Sequence, residues 1–177
     1  MKIIQKTIAK ENFLFPSFFS RLTRDIENST IDWYWDNKTI PGAEDDRHCM
    51  FATVLFDKFT NTTSKWFPIF EPFLYFLHEE IPFTILLKMK MNLYVNHTVQ
   101  HVHAKHTDLY NVANNPKALD FFTAVFNFTD CDGFTQIEDK KYPSKANSII
   151  IFDGKKLHQG ATPTNTKKRV VLNINVL

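Results

Sequence analysis

Two stretches of strict two-residue alternation bracket the second half of the chain and decide what it can fold into. From Leu86 to Asn96, Lys88, Lys90, Asn92 and Tyr94 fall on one face, and Leu87, Met89, Met91, Leu93 and Val95 fall on the other. From Lys168 to Leu177, Arg169, Val171, Asn173 and Asn175 share one face, and Val170, Leu172, Ile174 and Val176 share the opposite one. Successive side chains of a strand point to opposite sides, so both stretches read as strands with one apolar face. The first extends back to Ile81. Its polar face looks either to solvent or into a polar barrel interior, and a central position in the sheet favours the interior. Between the two lie further strand patterns at Ala118–Phe128, Phe134–Ile137 and Ala146–Phe152. Leu109–Lys117 and Glu138–Ser144 read as loops, and Asp130-Cys131-Asp132-Gly133 as a turn. No strand–helix repeat follows residue 80, which argues against a parallel α/β fold and for an antiparallel sandwich or barrel.

The first half reads differently. Phe15, Phe18, Phe19 and Leu22 keep helical spacing, with Pro16 and Ser17 at the start. A second helical pattern runs through Trp66, Phe67, Phe70, Phe73, Leu74 and Leu77, with Thr63 or Ser64 as its cap and Pro72 as a kink. Cys49–Phe56 is a strand pattern. Trp33 and Trp35 are core aromatics or the lining of a pocket mouth, and the polar stretch Lys38–Arg47 is a surface loop beside them. The expected fold class is mainly β: an antiparallel sandwich or barrel, the class that includes the jelly roll, with N-terminal helices packed on one sheet. It forms one domain over 1–177, with helical support over about 1–80 and the barrel over about 81–177.

Composition narrows the function classes. Hydrophobic residues make up 44% of the 177, charged residues 23%, and there are 18 Phe, which describes a globular chain with an aromatic core. A formal charge of +2 does not by itself argue for nucleic acid. Cys49 and Cys131 are too few for a disulfide framework and read as free thiols in a reducing compartment. The start lacks a signal-peptide pattern, and no segment approaches the ~20 apolar residues of a membrane span. The expectation is a protein of the cytoplasm, with no membrane partner.

The residues that carry chemistry are His106 and Asp108, in His106-Thr107-Asp108, and His158, about fifty residues later between Gly154 and Gly160. In an extended segment His106 and Asp108 point to the same side, so they can hold one ion together while Thr107 points away. With His158 they would supply two imidazoles and one carboxylate to one face of a metal, the ligand set of non-haem Fe(II) oxygenases, leaving positions for a bidentate co-substrate and O2. Arg169, if it faces inward, is a permanent cation inside the barrel and demands an anionic ligand. Asn92 and Tyr94 share the corresponding face of the other long strand and can donate hydrogen bonds to that ligand.

These residues resemble a family. His106-Thr107-Asp108, a distal His158 and an Arg169 about ten residues beyond it look like the signature of the 2-oxoglutarate- and Fe(II)-dependent oxygenases. The likeness is strongest to the prolyl-4-hydroxylase-like branch, especially its small phage-encoded members. Asn92-Leu93-Tyr94, Asp132-Gly133-Phe134-Thr135, Ala146-Asn147-Ser148, Ile151-Phe152-Asp153-Gly154 and Arg169 through Asn175 are similar as well, in the family's order. The resemblance implies a double-stranded β-helix, with iron at His106, Asp108 and His158 and 2-oxoglutarate paired with Arg169. It implies co-substrate contacts from Tyr94, Asn92 and Asn173. It also implies hydroxylation of an unactivated C–H bond with release of succinate and CO2. A peptidyl, prolyl-like substrate comes first, a free amino acid or other small molecule second. Asn92-Leu93-Tyr94 is also similar to the nucleic-acid demethylase branch, which keeps a nucleobase among the substrates.

Two rival classes stand beside this reading. A cupin-like metal site would use His101, His103 and His158, but it gives Arg169 no role. A barrel kept only for binding would not need the complete triad. On the oxygenase reading His101 and His103 sit on the strand leading to the site or on the surface, and His103→Ala is expected to be harmless. His48, His78 and His97 read as surface or loop residues.

Overall fold

The computed structural model describes residues 7–28, 31–37, 49–109 and 120–177 and builds them into two antiparallel sheets with a helical layer. The expected loop over Lys38–Arg47, most of the Leu109–Lys117 loop, the first six residues and His48 lie outside the described residues. The elements in chain order are β1 (Ile8–Glu11), α1 (Pro16–Glu27), β2 (Tyr34–Asp36), β3 (Met50–Asp57), β4 (Thr62–Thr63), α2 (Phe67–Phe70) and α3 (Phe73–Glu80). They continue with β5 (Leu86–Val95), β6 (Phe122–Asn127), β7 (Cys131–Ile137), β8 (Lys140–Ser144), β9 (Ser148–Asp153), β10 (His158–Gly160) and β11 (Lys168–Val176). The larger sheet has the order β1-β9-β6-β11-β5-β3-β2, with β4 beside β3, and the smaller has the order β10-β7-β8. Isolated bridges from Val102 to Ala161 and from His106 to His158 add the segment after β5 to the smaller sheet, beside β10. From β5 onward the chain passes back and forth between the two sheets. This is the double-stranded β-helix that the resemblance implied, and it satisfies the antiparallel sandwich or barrel read from the order of patterns.

The two faces of the larger sheet have different tasks. On one face Met89, Met91, Ala124, Phe126, Ile149, Ile151, Leu172 and Ile174 pack against Leu22 and Ile26 of α1, Phe70 of α2, and Phe73 and Leu77 of α3. Phe126 lies edge-on to both Phe73 and Phe128 at centroid distances of 5.0 and 4.8 Å. Aromatic pairs in this geometry gain about 0.5–1.5 kcal/mol beyond the burial of their area. On the other face Val125, Ile150, Phe152 and Val171 meet Ile137 of the smaller sheet, with Tyr94 and Tyr142 against them. The polar residues of β5 and β11 therefore point into the barrel, not to solvent. Among the described residues no helix is long and apolar enough to cross a membrane.

Several local expectations are corrected. β1 carried no sequence signal strong enough to mark it, and it exists because it pairs with β9, Ile8 opposite Ile151. Pro72 separates α2 from α3 instead of kinking one helix, because its ring cannot continue the hydrogen-bond ladder. Neither Thr63 nor Ser64 is the helix cap: Trp66 takes that position without a side-chain cap bond, Thr63 lies in β4, and the Ser64 hydroxyl accepts from Trp66 N–H at 3.1 Å in the turn before α2. The segment from Ile81 is not yet strand: Ile81 closes α3 by donating to Leu77, and β5 begins at Leu86. β6 begins at Phe122 and β9 at Ser148. Asp132 and Gly133 lie inside β7, not in a turn, where the pairing register slips between Cys131 and Phe134. Lys140–Ser144, expected as a charged loop, is β8; its charged residues lie on an exposed edge strand, where burial places no demand on alternation.

Candidate metal centre

His106 and His158 are brought together by backbone pairing. His106 N–H donates to the His158 carbonyl at 2.9 Å, and His158 N–H returns a bond to the His106 carbonyl at 3.0 Å. That bridge sets the two imidazoles side by side, with centroids 4.5 Å apart. Asp108, two residues beyond His106, turns its Oδ1 to both rings: 3.3 Å from His158 Nε2 and 3.7 Å from His106 Nε2. One potential ligand atom from each of the three residues lies within 4.8 Å of the others. Among the described residues no such cluster includes His101 or His103, which removes the geometric basis of the cupin-like reading.

The surroundings of the three side chains decide which atoms are available. His106 Nδ1 lies 3.1 Å from the Ala104 carbonyl, and His158 Nδ1 lies 3.3 Å from the Lys156 carbonyl. A carbonyl only accepts, so in each ring Nδ1 carries the proton and the neutral imidazole presents an Nε2 lone pair. Asp108 Oδ2 accepts a bond from Asn175 Nδ2 at 2.9 Å, which leaves Oδ1 toward the rings. His158 Nε2 is buried and makes no hydrogen bond. Two acceptors thus face each other, a lone pair against a carboxylate oxygen. A divalent cation between them satisfies both, so the donor set fits Fe(II) or a similar ion. Burial opposes ionisation of Asp108, but His158, His106 and the Asn175 amide outweigh it and hold the carboxyl well below the usual carboxylate range. Burial lowers His106. On His158 burial acts in the same direction, but the adjacent Asp108 overrides it and raises the imidazole.

Arg169 forms a second constellation in the barrel. It is 1% exposed, and its donors meet only neutral acceptors: Thr135 Oγ1 at 2.8 Å, Asn127 Oδ1 at 3.3 Å and the Ala161 carbonyl at 3.3 Å. Its Nε has no partner. Among the described residues no carboxylate forms an ion pair with it, and burial pushes the guanidinium down from its ordinary value. Its plane lies over the Tyr94 ring, 5.8 Å from the centroid, and the same ring packs against His103 at 5.0 Å. Glycines make the room: a Cβ at Gly133 would lie 2.7 Å from Arg169 Cδ, and one at Gly160 would lie 3.3 Å from the guanidinium.

The remaining expected site residues fall on the same inner face. Asn92 is buried opposite Val171, and Asn173 is opposite Lys90. The Oδ1 atoms of Asn92 and Asn173 are buried without hydrogen-bond partners. Sequence reasoning missed four residues. Asn175 was readable only as a member of the Arg169 face, and nothing in the sequence linked it to Asp108. Thr135 and Asn127 needed the strand order. His103, expected on a surface or a lead-in strand, is 4% exposed and lies against Tyr94, because its N–H pairs with the Gly160 carbonyl at 2.9 Å.

No protein-family model and no curated protein matches the sequence. Solved structures match the fold. A viral collagen prolyl hydroxylase from Paramecium bursaria Chlorella virus-1, in complex with 2-oxoglutarate, aligns with a TM-score of 0.61 and 14% identity over 98% of each chain. A prolyl hydroxylase from Trichoplax adhaerens, in complex with a hypoxia-inducible-factor peptide fragment, aligns with a TM-score of 0.67 and 11% identity over 98% of this chain and 84% of its own. An oxidoreductase of the 2OG-Fe(II) oxygenase family from Burkholderia pseudomallei aligns with a TM-score of 0.65 and 10% identity over 96% of this chain and 85% of its own.

Proposed function

We infer that the protein is a 2-oxoglutarate- and Fe(II)-dependent dioxygenase. It hydroxylates an unactivated C–H bond, and its substrate is a peptidyl, prolyl-like side chain or an amino acid. One observation carries the reading. The inner face of a single barrel holds both the His106–Asp108–His158 donor set and a buried guanidinium without a carboxylate partner among the described residues. A dicarboxylate that chelates the metal at one end and meets Arg169 at the other answers both demands. The peptidyl substrate rests on the structural neighbours, one named a collagen prolyl hydroxylase and one bound to a peptide.

With Fe(II) in the triad, 2-oxoglutarate and O2 are converted to succinate and CO2 while one oxygen atom enters the substrate C–H bond as hydroxyl. The chain's own residues orient and insulate that reaction. The carbonyls of Ala104 and Lys156 fix the two ring tautomers, and Asn175 fixes the free oxygen of Asp108. Arg169 supplies a two-pronged cation for the far carboxylate, and Tyr94, Asn92 and Asn173 offer it further polar contacts. Phe152, 5.0 Å from the His158 ring, and Val171 exclude water on the core side. His106, with 24% of its side chain exposed, marks the open side, where substrate approaches.

The test is an anaerobic absorption spectrum of the protein with Fe(II), before and after 2-oxoglutarate. A weak visible charge-transfer band is expected only with both present, and it is expected to vanish in Asp108→Ala and His158→Ala. Iron binding without the band would remove 2-oxoglutarate from the reading, and absence of iron binding would remove the reading altogether.

A further inference from the structure

We propose that Lys90 anchors the prime substrate and that this substrate carries a carboxylate. The inference rests on the dioxygenase reading for its reacting centre. Lys90 shares the inner face of β5 with Asn92 and Tyr94, and lies across from Asn173, two positions along β11 from the Asn175 that holds Asp108. That register puts it on the same inner face as the Asn175 amide that bonds Asp108. Lys90 also forms one wall of a cavity of about 620 Å³ that runs to the sheet edge, past Tyr34, Trp35, Asp36, Val54 and Trp66. Tyr34 and Trp35 are 65% and 58% exposed, so aromatic surface flanks this cavity.

The charge arrangement separates Lys90 from a structural lysine. Lys88, two residues away on the same face, closes on Asp57 at 3.1 Å, and only 9% of the Asp57 side chain is exposed. Lys90 reaches Asp36 only at 3.8 Å. The other lysine–carboxylate pairs among the described residues lie between 2.5 and 3.1 Å. The two partners are also unequally solvated: 41% of the Asp36 side chain is exposed against 20% of Lys90. Asp36 is therefore the better solvated partner, whereas Lys90 stays under cover and requires an anion. A substrate carboxylate entering past Tyr34 and Trp35 exchanges with Asp36 and fixes the substrate beside His106. Arg169 lies elsewhere on the inner face, opposite Tyr94, and keeps its own anionic ligand.

The carboxylate can belong to a side chain in a peptide or to a free amino acid, and two arms of one experiment separate these sources. Protein loaded with Mn(II) and 2-oxoglutarate is titrated while tryptophan fluorescence is read, since Trp35 and Trp66 line the cavity. The first arm uses two pools of N-acetylated, C-amidated pentapeptides that differ only in Glu or Gln at one fixed position. The second arm compares L-proline with L-prolinamide. In one arm the carboxylate form is expected to bind about tenfold more tightly, the size of one charge-assisted contact. Lys90→Met is expected to abolish that preference, Lys90→Glu to reverse it and Asp36→Asn to strengthen it. No preference in either arm, or a preference that survives Lys90→Met, overturns the proposal. If Lys90→Met does not fold, Asp36→Asn decides alone, and an unchanged affinity overturns the proposal. Loss of the visible iron band would defeat the dioxygenase reading without altering these binding ratios, so the two failures are distinguishable.

Discussion

Asn175 holds one oxygen of Asp108 and leaves the other to the rings, so on the proposed metal site its amide would orient a ligand without being one. Asn175→Ala is expected to weaken Fe(II) binding about 10–100-fold, the usual cost of losing a partner that orients a metal ligand. Anaerobic Fe(II) titration checks this. Arg169→Met is expected to leave iron binding intact and to raise the 2-oxoglutarate requirement by about two orders of magnitude, since losing one partner of a buried charge pair costs about 3 kcal/mol. His103→Ala belongs with Arg169, not with the ligands. The ring packs against Tyr94, which also contacts the guanidinium, so truncation is expected to raise the co-substrate requirement and leave iron binding unchanged. Binding curves for the two ligands, measured separately, distinguish these outcomes. The three proposed metal ligands were legible in the sequence because their chemistry is carried by residue type and short spacing. Asn175 and His103 were not, because their roles come from the pairing of β11 with β5 and of Gly160 with the segment before His106.

At the scale of elements, β7 matters most. Its Gly133 lies under Arg169, with no space for a side chain between Arg169 Cδ and the Ala161 carbonyl. Gly133→Ala is expected to destabilise the fold by about 1–3 kcal/mol, as overpacking does, and to weaken 2-oxoglutarate binding by displacing the guanidinium. Denaturant titration and co-substrate binding on one preparation test both effects. Beside it, Asp132 holds the loop between β10 and β11, accepting bonds from the Thr164 hydroxyl, the Thr164 N–H at 2.8 Å and the Asn165 N–H at 3.4 Å. The bonds from Thr164 hold its carboxyl below the ordinary value. The contribution is therefore full above the unfolded carboxylate range and is lost as pH falls through the lower folded value. Asp132→Asn is expected to flatten the part of the stability curve that drops between about pH 5 and pH 3. Urea unfolding across that range is the check. Strands with one apolar and one polar face were readable from alternation, as β5 and β11 were. β1 and β8 were not, because edge strands are specified by the partner they meet and not by a pattern of their own.

The whole molecule divides into a heavily packed side and a lightly tied one. The larger sheet is clamped by the helical layer, with Phe70, Phe73, Phe126, Leu172 and Ile174 fully buried. That architecture followed from the order of patterns: helical first, then strands without helices between them. The segment carrying His106 and Asp108 is held differently. It joins β10 and the residues after it through isolated bridges at Val102 and His106 and backbone bonds at His101 and His103, and its side chains meet the barrel at Tyr94, His158 and Asn175, with Leu109 against Leu87 and Phe121. A metal held by the proposed triad would tie this segment further to β10 and β11, because His106 and Asp108 come from it, His158 from β10, and the Asn175 support from β11. An ion that binds only the folded site stabilises it by about 2.7 kcal/mol at a hundredfold excess over its dissociation constant. That stabilisation appears first in the least secured region, since local opening governs exchange there. Hydrogen exchange with and without Mn(II) is therefore expected to show protection gained at residues 101–109 and 158–160, with β6, β9 and the helices unchanged. Protection spread evenly over the molecule would mean that the segment opens only with the whole fold, and no change at 101–109 would mean that the metal is held elsewhere.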